Sequence, residues 1–275
     1  MRKLLFFLSF CSATLFAQDV KATPTYLIGS HTFGEGVGYD SGFSTIEALS
    51  FLTFCKRNYW PFLDLQFHFF DDRQIAGNAG IGFRHCLYNS PRIIGFNAYY
   101  DFRRSEMGNW YNQVGFGFEI FSSCFDFRFN AYIPFDREHV TELCVFDQYA
   151  DGYVVRKKLI ETAFRGFSLE FGAPFCLSDC IFSYFSLGGY FYKDTLCETA
   201  MGGYLKNFFY FKDVFFLEGR VSYDPLFETR FQGRVGISIP IGKCYQKCGN
   251  CLQYWPVYRS NIIVLDEFCK WKWDY

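Results

Sequence analysis

Along most of the chain, apolar and polar residues alternate one by one. In IIGFNAYYDFRR, Ile94, Phe96, Ala98 and Tyr100 fall on one side and Gly95, Asn97, Tyr99 and Asp101 on the other. After a polar interval the pattern restarts, with Val114, Phe116, Phe118 and Ile120 set against Gln113, Gly115, Gly117 and Glu119. A period of two predicts β-strands, whose successive side chains point to opposite faces. The same reading gives strands in TYLIGSHTF (25–33), STIEALSFL (44–52), PFLDLQFHFF (61–70), IAGNAGIGFRH (75–85) and CFDFRFNAYIPF (124–135). Five more follow in GFSLEFGAPF (166–175), IFSYFSLGGYFY (181–192), TAMGGYLKNFF (199–209), VFFLEGRVSYD (214–224) and ETRFQGRVGISIP (228–240). The count is twelve.

Strands of about nine to eleven residues suit a tilted crossing of a bilayer's apolar layer. Tight links follow even-numbered strands, at 88–91, 122–123 and 210–212. The two longest polar links, 103–110 and the charged stretch 136–162, follow odd-numbered ones. The link at 71–74 is short on the long-loop side, and 54–60 is long on the other. Short turns at one end and longer loops at the other are the asymmetry of an outer-membrane barrel.

Composition sharpens this. The chain has 38 Phe and 24 Gly, yet 20% charged residues hold mean hydropathy at zero. The most apolar run of the mature chain, NFFYFKDVFFLEG, is split by Lys212 and Asp213, which excludes a membrane helix. A net charge of −1 excludes a nucleic-acid surface, which needs a basic excess. The N-terminus carries Arg2 and Lys3, an apolar stretch from Leu4 to Leu15, and Ala17, as in a secretory signal peptide cleaved after Ala17. The domain reading is therefore a signal peptide (1–17), an all-β closed antiparallel transmembrane barrel of about twelve strands (18–240) and a cysteine-containing tail or linker (241–275).

With few amphipathic helices to cover a phenylalanine-rich face, lipid becomes the solvent for that face, and only a closed barrel satisfies every backbone group in hydrocarbon. The opposite face lines a lumen. The polar residues expected there are Asp64, Gln66, Arg84, Asn97, Asp101, Glu119, Asp126, Arg128, Glu170, Glu218, Arg220, Arg230 and Arg234, as paired struts or, in an open lumen, as groups that tune ion passage.

Catalytic chemistry finds little support. His31, His68, His85 and His139 fall on separate segments; His68 shares a face with Asp64, but no serine completes a triad. Gly34, Gly36 and Gly38 lie outside any strand–helix unit and read as a flexible hairpin loop. No enzyme activity, cofactor or metal is expected. Eleven cysteines follow the signal peptide, and in an exported protein disulfides are the default over metal. Cys176 and Cys180, with Cys244, Cys248 and Cys251, fall on the short-turn side and are candidates for disulfides, including links to other envelope proteins.

Taken in order, FLDLQFHFFDDRQIAGNAGIGFR, IIGFNAYYDFRR, YNQVGFGFEIF, FDFRFNAYIPF, RGFSLEFGAP, RVGISIP and PVYRSNIIVLD resemble the inverse autotransporters, the intimin/invasin family, over roughly residues 26–265. The chain is especially similar to the short, cysteine-rich barrels of this type in chlamydia-like bacteria. The resemblance implies a twelve-stranded barrel in the cell outer membrane, inserted by the barrel-assembly machinery, with its N-terminus in the periplasm. It also implies a linker that passes through the lumen toward a passenger. Here only 35 residues follow Pro240, and no passenger is expected among them. At about 3.3 Å per residue they could cross a layer of about 30 Å. The tail could plug the pore, emerge, or stay periplasmic. The function expected is a translocator or anchor; the alternative is a diffusion porin or structural envelope barrel.

Overall fold

A computed structural model describes residues 25–52, 59–87, 92–122, 124–146, 154–178, 181–211, 214–241 and 256–274. The signal-peptide reading falls outside them. The strands are β1 (Thr25–Gly34), β2 (Phe43–Phe51), β3 (Tyr59–Phe70), β4 (Ile75–Cys86), β5 (Ile93–Arg104), β6 (Trp110–Phe121), β7 (Asp126–Pro134), β8 (Glu138–Phe146), β9 (Val154–Ala163), β10 (Arg165–Ser178), β11 (Ile181–Lys193), β12 (Thr199–Phe211), β13 (Phe215–Asp224), β14 (Glu228–Ile241) and β15 (Leu265–Asp274). Twelve of them close an antiparallel barrel, in which β7 neighbours β10 and β14 returns to β1. The twelve alternating segments are these twelve strands.

The period-two faces hold around the wall. Ile46, Phe67, Ile81, Phe116, Phe171, Leu187 and Phe231 are exposed outward, each more than half accessible, while Asp64, Gln66, Asp101, Glu119, Asp126 and Arg128 are buried inside. Two aromatic types divide between the faces. Phenylalanine dominates the lipid side, whereas Tyr99, Tyr132, Tyr184, Tyr190, Tyr192 and Tyr204 point inward. A buried hydroxyl needs a partner, and only the lumen supplies one. Thus Tyr99 Oη donates to Asp64 at 2.7 Å and Tyr204 Oη to Glu170 at 2.8 Å. Glycine makes room for these rings. Gly80 lies opposite Tyr99 and Gly188 opposite Tyr204, and a Cβ at either would come within 2.1 Å of the facing ring.

The lumen is less uniformly polar than the alternation implied. At the end with short turns, Leu49, Phe51, Phe62, Phe121, Phe182, Phe208 and Phe216 form an apolar floor with Val257 of the tail. Phe62 shares the face of Asp64, Gln66 and His68. In PFLDLQFHFF apolar residues near the strand ends occupy both faces, so the pattern fixes the phase without excluding an aromatic floor.

The stretch 136–162 is not a structureless link. It forms β8 and β9, and β15 from the C-terminal tail joins them in a separate three-stranded sheet, in the order β15-β9-β8, at the end with long loops. The loop with Gly34, Gly36 and Gly38 is also ordered. Gly34 and Gly38 take positive φ of 87° and 79°, and the loop turns Tyr39 inward against Phe43 and Phe70.

Candidate functional site

The lumen is occupied by the chain's own tail. Residues 256–264 run through the barrel from the apolar floor toward the loop end, where β15 begins. An extended segment has no sheet partners, so its backbone groups must find others. The wall provides them. Asn130 Nδ2 donates to the Tyr258 carbonyl at 3.3 Å, Asn78 Nδ2 to that of Asn261 at 2.8 Å, and Arg103 Nη1 to that of Ile263 at 2.7 Å. The Ser260 amide donates to Tyr132 Oη at 2.7 Å, and the Phe164 amide to the Val264 carbonyl at 3.0 Å.

At the centre, Arg259 forks onto Asp101. Its Nη1 and Nη2 donate to the two carboxylate oxygens at 2.7 and 2.6 Å, and both side chains are nearly inaccessible. Asp101 also accepts from Asn78 Nδ2 and Gln113 Nε2, while the guanidinium lies 4.3 Å from the Tyr99 ring centroid and 5.5 Å from that of Tyr132. A planar fork on a carboxylate fixes orientation as well as position.

A second node lies below. Arg128 Nη1 donates to Glu170 Oε1 at 2.8 Å and to the Tyr184 hydroxyl, and Nη2 lies 3.4 Å from Asp126. Glu170 also accepts from Lys206 at 2.7 Å. Tyr258 of the tail covers this node, with its ring parallel to that of Tyr184 and 4.9 Å from the Arg128 guanidinium. A third pair, Arg84 with Glu119 at 3.0 Å, sits among Phe51, Phe62 and Phe121 in the floor.

Not every polar position takes part in the tail's seat. Gln66 donates to Asp64 at 2.9 Å, and Asn97 packs over Gly117. Glu218, Arg220 and Arg234 face the tail across cavities of about 80 and 90 Å³. Arg234 lies 3.9 Å from both Glu47 and Glu218, and Arg220 stacks over Tyr204 at 4.2 Å. Arg230 stands at the loop-end rim with Glu35 and Asp40. His68 bonds Thr45 and Asn78, and Asp64 is bonded instead by Tyr99 and Gln66, so the two share a face without pairing. Cys176 is on β10 opposite Phe182; Cys180, Cys244, Cys248 and Cys251 lie outside the described residues.

Sequence reasoning missed Glu47, Arg103, Lys206 and Arg259. Glu47 and Lys206 are single charges within apolar runs, and strand phase was the only signal that could have placed them. Arg103 follows the face of Asp101, a continuation that could have been extended by one step.

The family model for the inverse autotransporter beta-domain matches residues 34–172. The chain belongs to the inverse autotransporter family. It is an outer-membrane β-barrel. Among solved structures, a membrane protein from a study of in-meso crystallization matches with a TM-score of 0.60 at 15% identity, covering 88% of this chain and all of that one. An outer-membrane channel from Pseudomonas putida matches with a TM-score of 0.50 at 11% identity, covering 82% of this chain and 97% of that one. At these identities both speak for the fold alone. Among curated proteins none matches.

Where the tail leaves the barrel, Asp266 and Glu267 begin β15 over a pocket of about 320 Å³ at the loop end. Burial raises both carboxyls above their ordinary range, and like charges add to it: Asp194, Glu198 and Asp40 act on Asp266, and Glu161, Glu106 and Asp266 on Glu267. The Glu267 amide lowers Asp266 and Arg103 lowers Glu267, each opposing the effect only in part. A carboxyl whose pKa is raised by docking favours the docked state when protonated. That contribution is full below the free value near 4 and is lost as pH rises through the raised values. Protection factors at the β15 amides, with the base-catalysed intrinsic exchange rate divided out, are therefore expected to rise on acidification across that window, and Asp266→Asn with Glu267→Gln should flatten the dependence.

Proposed function

We propose that this barrel is a non-catalytic anchor that holds its tail through the lumen and presents the β8-β9-β15 sheet at the cell surface. The reading is supported above all by the seating of Tyr258–Ile263, whose carbonyls and Arg259 side chain meet donors and acceptors on β4, β5 and β7. A segment so matched to the wall behaves as a built part of the barrel. Sidedness follows from the family: with the N-terminus periplasmic, the long loops and the new sheet face outward. Outer-membrane lipid and the barrel-assembly machinery are the partners this role requires, and cysteines at the turn end offer disulfide links to other envelope proteins.

A diffusion pore is the second reading, favoured by the cavities left beside the tail. The tail and the side chains that hold it occupy the middle of the lumen, so a threaded barrel should pass little current. In planar bilayers the intact protein is expected to stay near baseline, and removal of residues 256–275 to open steps roughly tenfold larger, because ion flow follows the free lumen cross-section. Wide, steady conductance from the intact chain would favour the pore instead.

A further inference from the structure

On the outside of the barrel, Arg165 opens β10 and Lys193 closes β11, and the two are register partners. The next outward pair toward the membrane centre is Phe167 and Phe191, whose rings stack at 5.8 Å and 26°. Below them the same face carries exposed Phe171, Leu187 and Phe175. Two cations thus stand side by side at the loop-end border of the apolar band. Like charges directly opposite in a sheet repel. Among the described residues neither forms an ion pair. Asp194, next to Lys193 in the chain, points inward and accepts the Glu198 amide at 2.7 Å and the Thr162 hydroxyl at 3.3 Å.

We infer that Arg165 and Lys193 bind the phosphate of an anionic glycolipid headgroup in the outer leaflet, with its acyl chains lying over the Phe167–Phe191 ledge. This rests on the sidedness proposed above. One phosphate has enough acceptor oxygens to take charge-assisted hydrogen bonds from both side chains, which turns their repulsion into a shared attraction. The flat apolar ledge below suits the start of a hydrocarbon chain, and long cationic side chains at a membrane border reach readily toward headgroups. Lipid rather than a free anion is favoured because the cations and the ledge form one continuous strip facing the bilayer.

The test uses the full-length protein in neutral detergent, so that it does not depend on sidedness, which tag access reports separately. Binding of a bis-phosphorylated lipid A, the same lipid without phosphates, and inorganic phosphate is followed by native mass spectrometry. Wild type should prefer the phosphorylated lipid, and R165Q/K193Q should bind it about tenfold more weakly, as expected for loss of two charge-assisted contacts. The dephosphorylated lipid should not distinguish the two proteins. R165K, which keeps the charge, should retain binding, and heat-modifiable gel mobility confirms folding; should the double variant fail it, R165Q and K193Q singly replace it. Equal binding by variant and wild type, equal binding of both lipids by wild type, or displacement by inorganic phosphate at comparable concentration would overturn the proposal.

Discussion

Replacing Arg128 with alanine is expected to destabilise the barrel by about 3–5 kcal/mol, the cost of leaving buried carboxylates without their cation. This guanidinium is fully buried and holds Glu170 on one side and Asp126 on the other, with Tyr184 between. Without it, Glu170 keeps only Lys206, Asp126 loses its cation, and Tyr258 and Phe121 lose the cation they stack on. Urea unfolding in lipid vesicles, followed by tryptophan fluorescence, measures the loss. Arg73→Ala, on an exposed turn, should cost within about 0.5 kcal/mol. Because removing a whole buried charge group is cheaper than breaking it, Arg128→Met and Lys206→Met combined with Asp126→Asn and Glu170→Gln, which leave no buried charge of the node unpaired, should recover much of the stability. A loss under about 1 kcal/mol for Arg128→Ala, the scale of an exposed pair, would mean that water reaches the node.

Breaking the fork between Arg259 and Asp101 should have its main effect on the tail. Either Arg259→Ala or Asp101→Ala leaves one charge buried without its partner, again a penalty of about 3–5 kcal/mol. In both variants the strain can be relieved without opening the wall. The barrel closes through β1 and β14 without help from the tail, so it can survive while residues 256–264 leave their seat. Both variants should therefore stay heat-modifiable and yet show conductance bursts and faster proteolysis near residue 256. The exchanged pair, Asp101→Arg with Arg259→Asp, should restore part of the quiet state. Equal, additive effects of the two single changes would show that the residues do not act together.

What could be read from the sequence follows from the solvents involved. A wall between lipid and a packed lumen imposes a strict alternation, so β5 and β6 were legible from IIGFNAYYDFRR and QVGFGFEIF alone. Beyond the wall that constraint ends. In VVRKKLIETA the charges cluster at Arg156–Lys158 and do not alternate, because β9 stands outside the bilayer; its partner β15 is found about a hundred residues later. Pairing at that distance leaves no local trace. The tail was equally silent: PVYRSNIIVLD has no period that marks Arg259 as the partner of Asp101, and only the family resemblance suggested a lumen path. The pairing of His68 also depended on geometry, since Asp64, Thr45 and Asn78 all lie within reach of a shared face. Composition did carry one usable signal. Inward tyrosine and outward phenylalanine on the same strands, as at Tyr184 and Phe185, separate a hydroxyl that needs a partner from a ring that needs none.

The central claim is that the tail passes through the lumen and emerges on the outside, and the most direct test is a small epitope tag after Tyr275 probed by antibody on intact and permeabilised cells. The threaded anchor predicts full labelling of intact cells, unchanged by permeabilisation, with a tag in the 88–91 turn labelled only afterward. Labelling of the Tyr275 tag that appears only after permeabilisation, while a tag in the 71–74 loop is reached from outside, would contradict it.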